Sequence, residues 1–334
     1  EPGPDIDRKY LEAAYTPNCF MVKPGQSIDI PILKAYAMWD LYAEWLGGED
    51  FTGLTPEPVL LWQDLPGLIT NVGLIPGQQA EEGSIAVSTA DKVGNAVIGI
   101  RIGGAVRWSW HIWVTDAPQT MAYENGVVFM DRNLGAVGTT VGGTDAYGMY
   151  YQWGRKDPFY WGTKTSTSAT PFDEVKELTV VNPAYAALTW SLAKAAVTPE
   201  AAAANPMTFY NNTVGTGSNW LAKPSAKLWG EAKTLNDPCP PGYKVPDIDA
   251  WENLSLGRDY IDGVSAWDVE NYGVTYTYNG QTAWYPGQGY RMYSTGAIVG
   301  QRASSGGSGG YWSSKATAVK AYYLYVKKRI STSG

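Results

Sequence analysis

Residues 95–116 read NAVIGIRIGGAVRWSWHIWVTD, two alternating stretches joined by Gly103-Gly104. Glycine reaches positive φ without steric cost, so a two-glycine link between alternating runs specifies a tight β-hairpin. Side chains alternate across a strand. Val106, Trp108, Trp110, Ile112 and Val114 therefore share one face, expected to be core, while Arg107, Ser109, His111, Trp113 and Thr115 share the other. Such a face needs a second layer to cover it. Strands at 19–25, 27–33, 58–64 and 84–90, each close to Gly or Pro, supply one. Residues 1–118 read as a small antiparallel β-sandwich.

A chain of 334 residues has room for a second unit, and Ala117-Pro118 marks the junction. Residues 119–334 are irregular and loop-heavy, with Ala, Thr and Ser dominating 163–204. TPEAAAANP at 198–206 predicts a short helix with Thr198 as N-cap, Pro199 in the first turn and Pro206 as its stop. Residues 245–254 predict another, capped by Asp247 and pairing Trp251 with Leu254. Tyr-rich strands follow at 274–280 and 321–328, separated by the glycine-rich stretch 302–310. The expected class is α+β, mainly β.

Twenty-five Lys and Arg against 32 Asp and Glu give a net charge of -7 and leave no basic stripe for nucleic acid. No apolar run reaches the roughly 18 residues of a membrane span. His111 is the only histidine, so any Ser-His-Asp or Cys-His triad has to use it. Its mid-strand position predicts a half-exposed structural imidazole. Phosphate-binding and dinucleotide motifs are absent, and no catalytic residue is assigned. Cys19 and Cys239 are either one link between the two halves or two buried free thiols. Asp259, Asp262, Asp268, Glu270 and Asn271 offer oxygen ligands of the kind calcium takes. Their spacing is not that of an EF-hand and a solvated acidic loop accounts for them, so no metal or cofactor is assigned. Trp267, Trp284, Tyr285 and Tyr290, beside Asp268, Arg291 and Arg302, form a candidate ligand site. Rings next to hydrogen-bonding groups suit a sugar, and the competing reading is that the rings are core.

Six motifs occur in order: VVFMDRNLGA (127–136), GMYYQWGRKDPF (148–159), NPMTFYNN (205–212), NDPCPPGYKVP (236–246), WYPGQGYR (284–291) and GYWSS (310–314). Together they closely resemble the Fibrobacter succinogenes major paralogous domain, over residues 126 to about 330. The resemblance implies a C-type-lectin-like α+β fold and a place in surface proteins of Bacteroidetes, including proteins at pilus tips. The preceding segment looks like the Ig-like β-domain found before it in Bacteroides surface lipoproteins. Motifs shared by proteins with different partners imply scaffold roles for Asp131, Arg132, Asn133, Tyr150, Trp153, Arg155, Asp157, Cys239 and Tyr243. In that role Tyr150, Trp153 and Phe159 pack inside, and Arg155 or Asp157 pairs with Asp131 or Arg132.

Two departures limit what carries over from relatives. Formylglycine-generating enzymes, of related fold, hold copper with a cysteine pair, whereas Cys239 is alone in 119–334. The EPN, QPD and WND tripeptides of calcium-dependent lectins are also missing. The resemblance thus implies a non-enzymatic, exported adhesin of the cell surface or outer membrane, with the filament tip as its most specific location. Its partners would be other pilus subunits or surface proteins and a glycan or other host or bacterial surface ligand, reached through loops at 160–235 and 255–310. The alternatives are a glycan-binding surface lipoprotein for nutrient capture and, more remotely, an enzyme like those that generate formylglycine or act on glycans.

Overall fold

The computed structural model describes residues 8–41, 50–161, 191–211, 219–251, 267–301, 307–317 and 320–327. It is a mainly-β member of the α+β class. The first half contains α1 (Arg8–Ala14), β1 (Cys19–Val22), β2 (Ser27–Pro31), α2 (Leu33–Leu41), β3 (Glu57–Gln63), β4 (Ile69–Ile75), β5 (Ser84–Thr89), β6 (Gly94–Ile102) and β7 (Ala105–Val114). These strands form two sheets, ordered β1-β7-β6-β3 and β2-β5-β4. The predicted hairpin is β6–β7, turning at Gly103 and Gly104 with φ of 64° and 82°. Ile30, Ile85 and Val87 of one sheet meet Ile98, Trp110 and Ile112 of the other, and α2 adds Ala35, Ala37 and Met38. Each large aliphatic side chain buried there contributes about 1.5–3 kcal/mol.

Three findings correct the reading of β7. Ile100 pairs with Trp108 but Arg101 pairs with Val106, so Arg107 is the extra residue of a bulge and the faces exchange there. Arg107 consequently lies over Trp39 and Phe51, 4.7 and 5.0 Å from their ring centroids, while Val106 packs with Val59 and Leu61. Second, β1 runs parallel to β7, with Cys19 beside His111. No hairpin joins these two strands, so nothing local imposes an antiparallel direction. Third, the polar face is covered: Ser109 and His111 are each 1% exposed and Thr115 is 2%. His111 is buried, not half-exposed, because the second half of the chain packs on that face.

The second half contributes β8 (Thr120–Ala122), β9 (Val128–Met130), β10 (Ser191–Ala193), α3 (Pro199–Ala204), β11 (Thr208–Tyr210), β12 (Trp267–Asp268), β13 (Gly273–Tyr278), β14 (Gln281–Pro286), β15 (Tyr290–Arg291), β16 (Ile298–Val299), β17 (Ser308–Ala316) and β18 (Ala321–Lys327). Its ladders are short, the largest being β12-β13-β14. Helix α3 starts as expected, with Thr198 Oγ1 accepting from the Ala201 N–H at 3.3 Å and Pro199 at the first position. The expected helix at 245–254 is a single 3-10 turn, Ile248–Trp251, and Leu254 lies outside the described residues. Val59, Leu61, Trp62 and Val97 from the first half share one cluster with Met149, Phe159, Met207 and Phe209 from the second. Among the described residues no helix is long and apolar enough to cross a membrane.

Candidate functional site

The lone histidine sits in a relay. His111 Nδ1 lies 3.4 Å from Cys19 Sγ, and Nε2 lies 2.8 Å from Asn95 Oδ1. Asn95 Nδ2 donates to Gly135 O at 2.9 Å and to Asp64 Oδ2 at 3.0 Å, so its Oδ1 is an acceptor. That fixes the proton of His111 on Nε2 and makes Nδ1 the acceptor of the Cys19 thiol. Cysteine hydrolases align the same three groups in the same order. Here the thiol is 0% exposed and the imidazole and amide are each 1% exposed, so none of the three meets solvent. Burial holds the thiol far above its ordinary value and drops the imidazole to about 3. Neutral thiol beside neutral imidazole is a structural pin, since the reactive species would be the thiolate. Cys239 is also a free, buried thiol, so the two cysteines do not form a link.

The same face of β7 anchors the GMYYQWGRKDPF motif. Ser109 Oγ donates to Asp157 Oδ1 at 2.7 Å and accepts from Lys156 Nζ at 2.6 Å, while Lys156 also reaches Asp157 at 2.6 Å. Arg155 lies 3.6 Å from Asp157 and bonds Gln152 Oε1 and Thr208 O at 2.9 and 2.7 Å. Burial lowers the pKa of both cations, and Asp157 opposes that shift. The expected partnership with Asp131 or Arg132 is not formed, because those two pair with each other at 2.8 Å. Tyr150, Trp153 and Phe159 are buried, and Trp153 Nε1 donates to Ser313 O at 3.0 Å. Gln288 brackets Gly148, accepting its N–H at 2.9 Å, and Asn133 lies beside the same amide. Lys233 binds Asp237 Oδ1, Cys239 O and Tyr243 O at 2.7–2.8 Å, closing the NDPCPPG turn. These motifs interlock with one another and with β7.

The candidate ligand residues divide. Trp267 and Tyr285 belong to a buried cluster with Trp251, whose indole N–H reaches the Tyr285 hydroxyl at 3.2 Å. Trp284 is buried as well, 7% exposed. Both indoles press against a glycine: a Cβ at Gly273 would sit 2.4 Å from Trp284, and one at Gly287 would sit 2.5 Å from Trp267. Asp268 caps its own turn, accepting from the amides of Glu270 and Asn271 at 3.0 Å and from the Asn271 side chain at 2.7 Å. The Asn271 bonds hold its carboxyl below the usual range. Arg291 is turned inward, donating to Gly296 O at 2.7 Å and to Tyr160 O, with burial bringing it to about 10. Tyr290 alone of these rings is well exposed, at 39%. Arg302, Asp259 and Asp262 lie outside the described residues.

Tyr290 opens onto a cleft of about 1530 Å³ beside β17 and β18. Trp312 stands opposite Tyr323 and Gly310 opposite Tyr325, which puts all four on one face. The Trp312 and Tyr323 rings meet at 5.4 Å and 75°, and Tyr323 and Tyr325 at 6.0 Å and 85°. Trp312 is half-buried, its Nε1 bonded to Tyr151 O at 2.8 Å and its ring also touching the cluster of Trp153, Trp229, Cys239 and Val245. Tyr323 is 49% exposed, Tyr325 40% and the neighbouring Tyr293 53%. Sequence reasoning recognised 321–328 as a strand but not as a site. The period of two in Tyr323 and Tyr325 is the signal, although Trp312 and Tyr290 join them only through strand pairing. No protein-family model, curated protein or solved structure matches the chain.

Proposed function

We propose that the protein is a non-enzymatic, exported cell-surface adhesin, in its most specific form a pilus-tip subunit. In this reading an Ig-like sandwich in the first half serves attachment or assembly, and a C-type-lectin-like second half presents the ligand face. One observation carries it: four exposed tyrosines, Tyr290, Tyr293, Tyr323 and Tyr325, line one cleft beside β17 and β18. Large rings held in water have a reason to be there when they meet a partner. The buried thiol and imidazole support the non-enzymatic part of the reading.

The exposed rings favour a second use of the same face, glycan capture for nutrition by a surface lipoprotein. Immunogold labelling of producing cells, combined with attachment assays using the Tyr323→Ala/Tyr325→Ala variant, separates these readings. Gold at filament ends and lost attachment support the adhesin. Gold spread over the envelope with attachment unchanged defeats it.

A further inference from the structure

The cleft face has a shape as well as exposed rings. Gly289 bridges Gly309 in parallel, which places Tyr290 beside Gly310, and Gly310 faces Tyr325 on its other side. Tyr290, Gly310 and Tyr325 therefore form a row across three strands, with phenol walls and a glycine floor. A Cβ added at Gly310 would meet only the Tyr323 ring, at 3.6 and 3.8 Å, so the space above this glycine is otherwise open among the described residues. Next along the strands stands the inside corner made by Trp312 and Tyr323. The trough and the corner are two residues apart, roughly 6.8 Å along a strand.

We propose that this trough and corner bind an uncharged oligosaccharide of pyranose rings, one sugar stacked in each. The proposal rests on the reading of the cleft as the ligand face. Pyranose rings offer an apolar C–H face to an aromatic ring and hydroxyls to its phenol, which is what Tyr290, Tyr323 and Tyr325 present. A net charge of -7 disfavours anionic polymers, and the cation nearest the trough among the described residues, Lys327, lies over the Tyr325 ring at 5.9 Å rather than on the glycine floor. A peptide strand would be held chiefly by main-chain bonds at a sheet edge, which does not call for open ring faces. Two adjacent subsites imply that affinity rises with chain length.

The test is calorimetric titration of the full chain with neutral hexaoses and matching disaccharides of β-1,4-glucose, β-1,4-N-acetylglucosamine, β-1,4-xylose and β-1,4-mannose. Polygalacturonate serves as the acidic control. The expected result is binding of at least one neutral hexaose, at least fivefold tighter than its disaccharide. Tyr323→Ala and Tyr325→Ala each weaken it at least tenfold. Gly310→Val keeps its unfolding midpoint, because β-branched residues suit strands, and abolishes binding by filling the trough. The inference is overturned if no neutral hexaose binds, if the acid polymer binds better, or if the three variants bind like the parent.

Attachment to cells is scored in parallel. Tyrosine-dependent attachment without saccharide binding leaves the adhesin standing with a protein partner. Saccharide binding at the trough with attachment unchanged does the reverse.

Discussion

Strands β7 and β18 are both aromatic, with Trp108, Trp110 and Trp113 in one and Tyr322, Tyr323 and Tyr325 in the other, yet they end in opposite environments. β7 is central, paired on both edges and covered on both faces, with Ser109 bonded to Asp157 of the second half and His111 to Asn95 of β6. β18 has one strand neighbour among the described residues and leaves three tyrosines exposed. Aromatic residues mark a binding face only where the pairing leaves their faces open. Where strands are paired on both sides, the same residue types weld one half of a chain to the other.

Substitutions probe both sides of this contrast. Asp157→Ala strips Ser109, Lys156 and Arg155 of their shared acceptor within the core. Breaking a buried ionic cluster costs about 3–5 kcal/mol, and urea denaturation is expected to show a loss of that size. Survival of the full midpoint would mean that the weld is not where the stability lies.

Acidity probes the pin. The unfolded chain protonates His111 near 6.5 and the folded chain only near 3, so the unfolded state holds more protons between those values. Stability is therefore lost as pH falls from about 6.5 towards 3, by on the order of 4–5 kcal/mol in all. Asp64, which binds Asn95, has the opposite sign: burial raises it from 3.8 to about 6, so its contribution is lost as pH rises across that window, by about 3 kcal/mol. Between pH 4 and 6 the two effects oppose each other. The difference in stability between the parent and His111→Gln, followed by denaturation against pH, is expected to grow with pH from 3 to 6.5, and a flat difference would place the imidazole in water.

Alkylation gives a smaller but sharper readout. Cys19 and Cys239 are expected to resist iodoacetamide in the native protein and to react fully in denaturant, as mass spectrometry would show. Rapid native labelling of Cys19 would show that the relay is accessible. At the other extreme, Tyr323→Ala and Tyr325→Ala are expected to cost no more than about 1 kcal/mol each, since the rings are 49% and 40% exposed and lose mainly edge-to-face contacts. A loss several times larger would make β18 part of the core and end the contrast.

Local rules were legible in the sequence and long-range ones were not. The Gly103-Gly104 turn and the Thr198 cap follow from chemistry within a few residues, and both are present. The bulge at Arg107 is invisible to an alternation count, and one extra residue there moves Val106 to the other side. Arg, Ser, His and Thr on alternate positions read as a solvent face, because a sequence does not announce that a second half will supply Asp157 to Ser109, Ala136 to Trp113 and Gly135 to the Asn95 amide that holds His111. Trp267 and Trp284 looked available because the glycines that receive their rings also look like loop residues.

Asn18 has a consequence for how the chain reaches this state. Its side chain accepts from the Trp108 indole at 3.0 Å and donates to Leu235 O and Asp237 O, 217 and 219 residues away. During synthesis the ribosome must deliver residue 237 before the first strand can be fastened at this end. Closing so long a loop carries an entropic cost that the bonds at this end have to offset. The seating of Asn18 is thus set jointly by a strand of its own half and by residues more than 200 positions downstream.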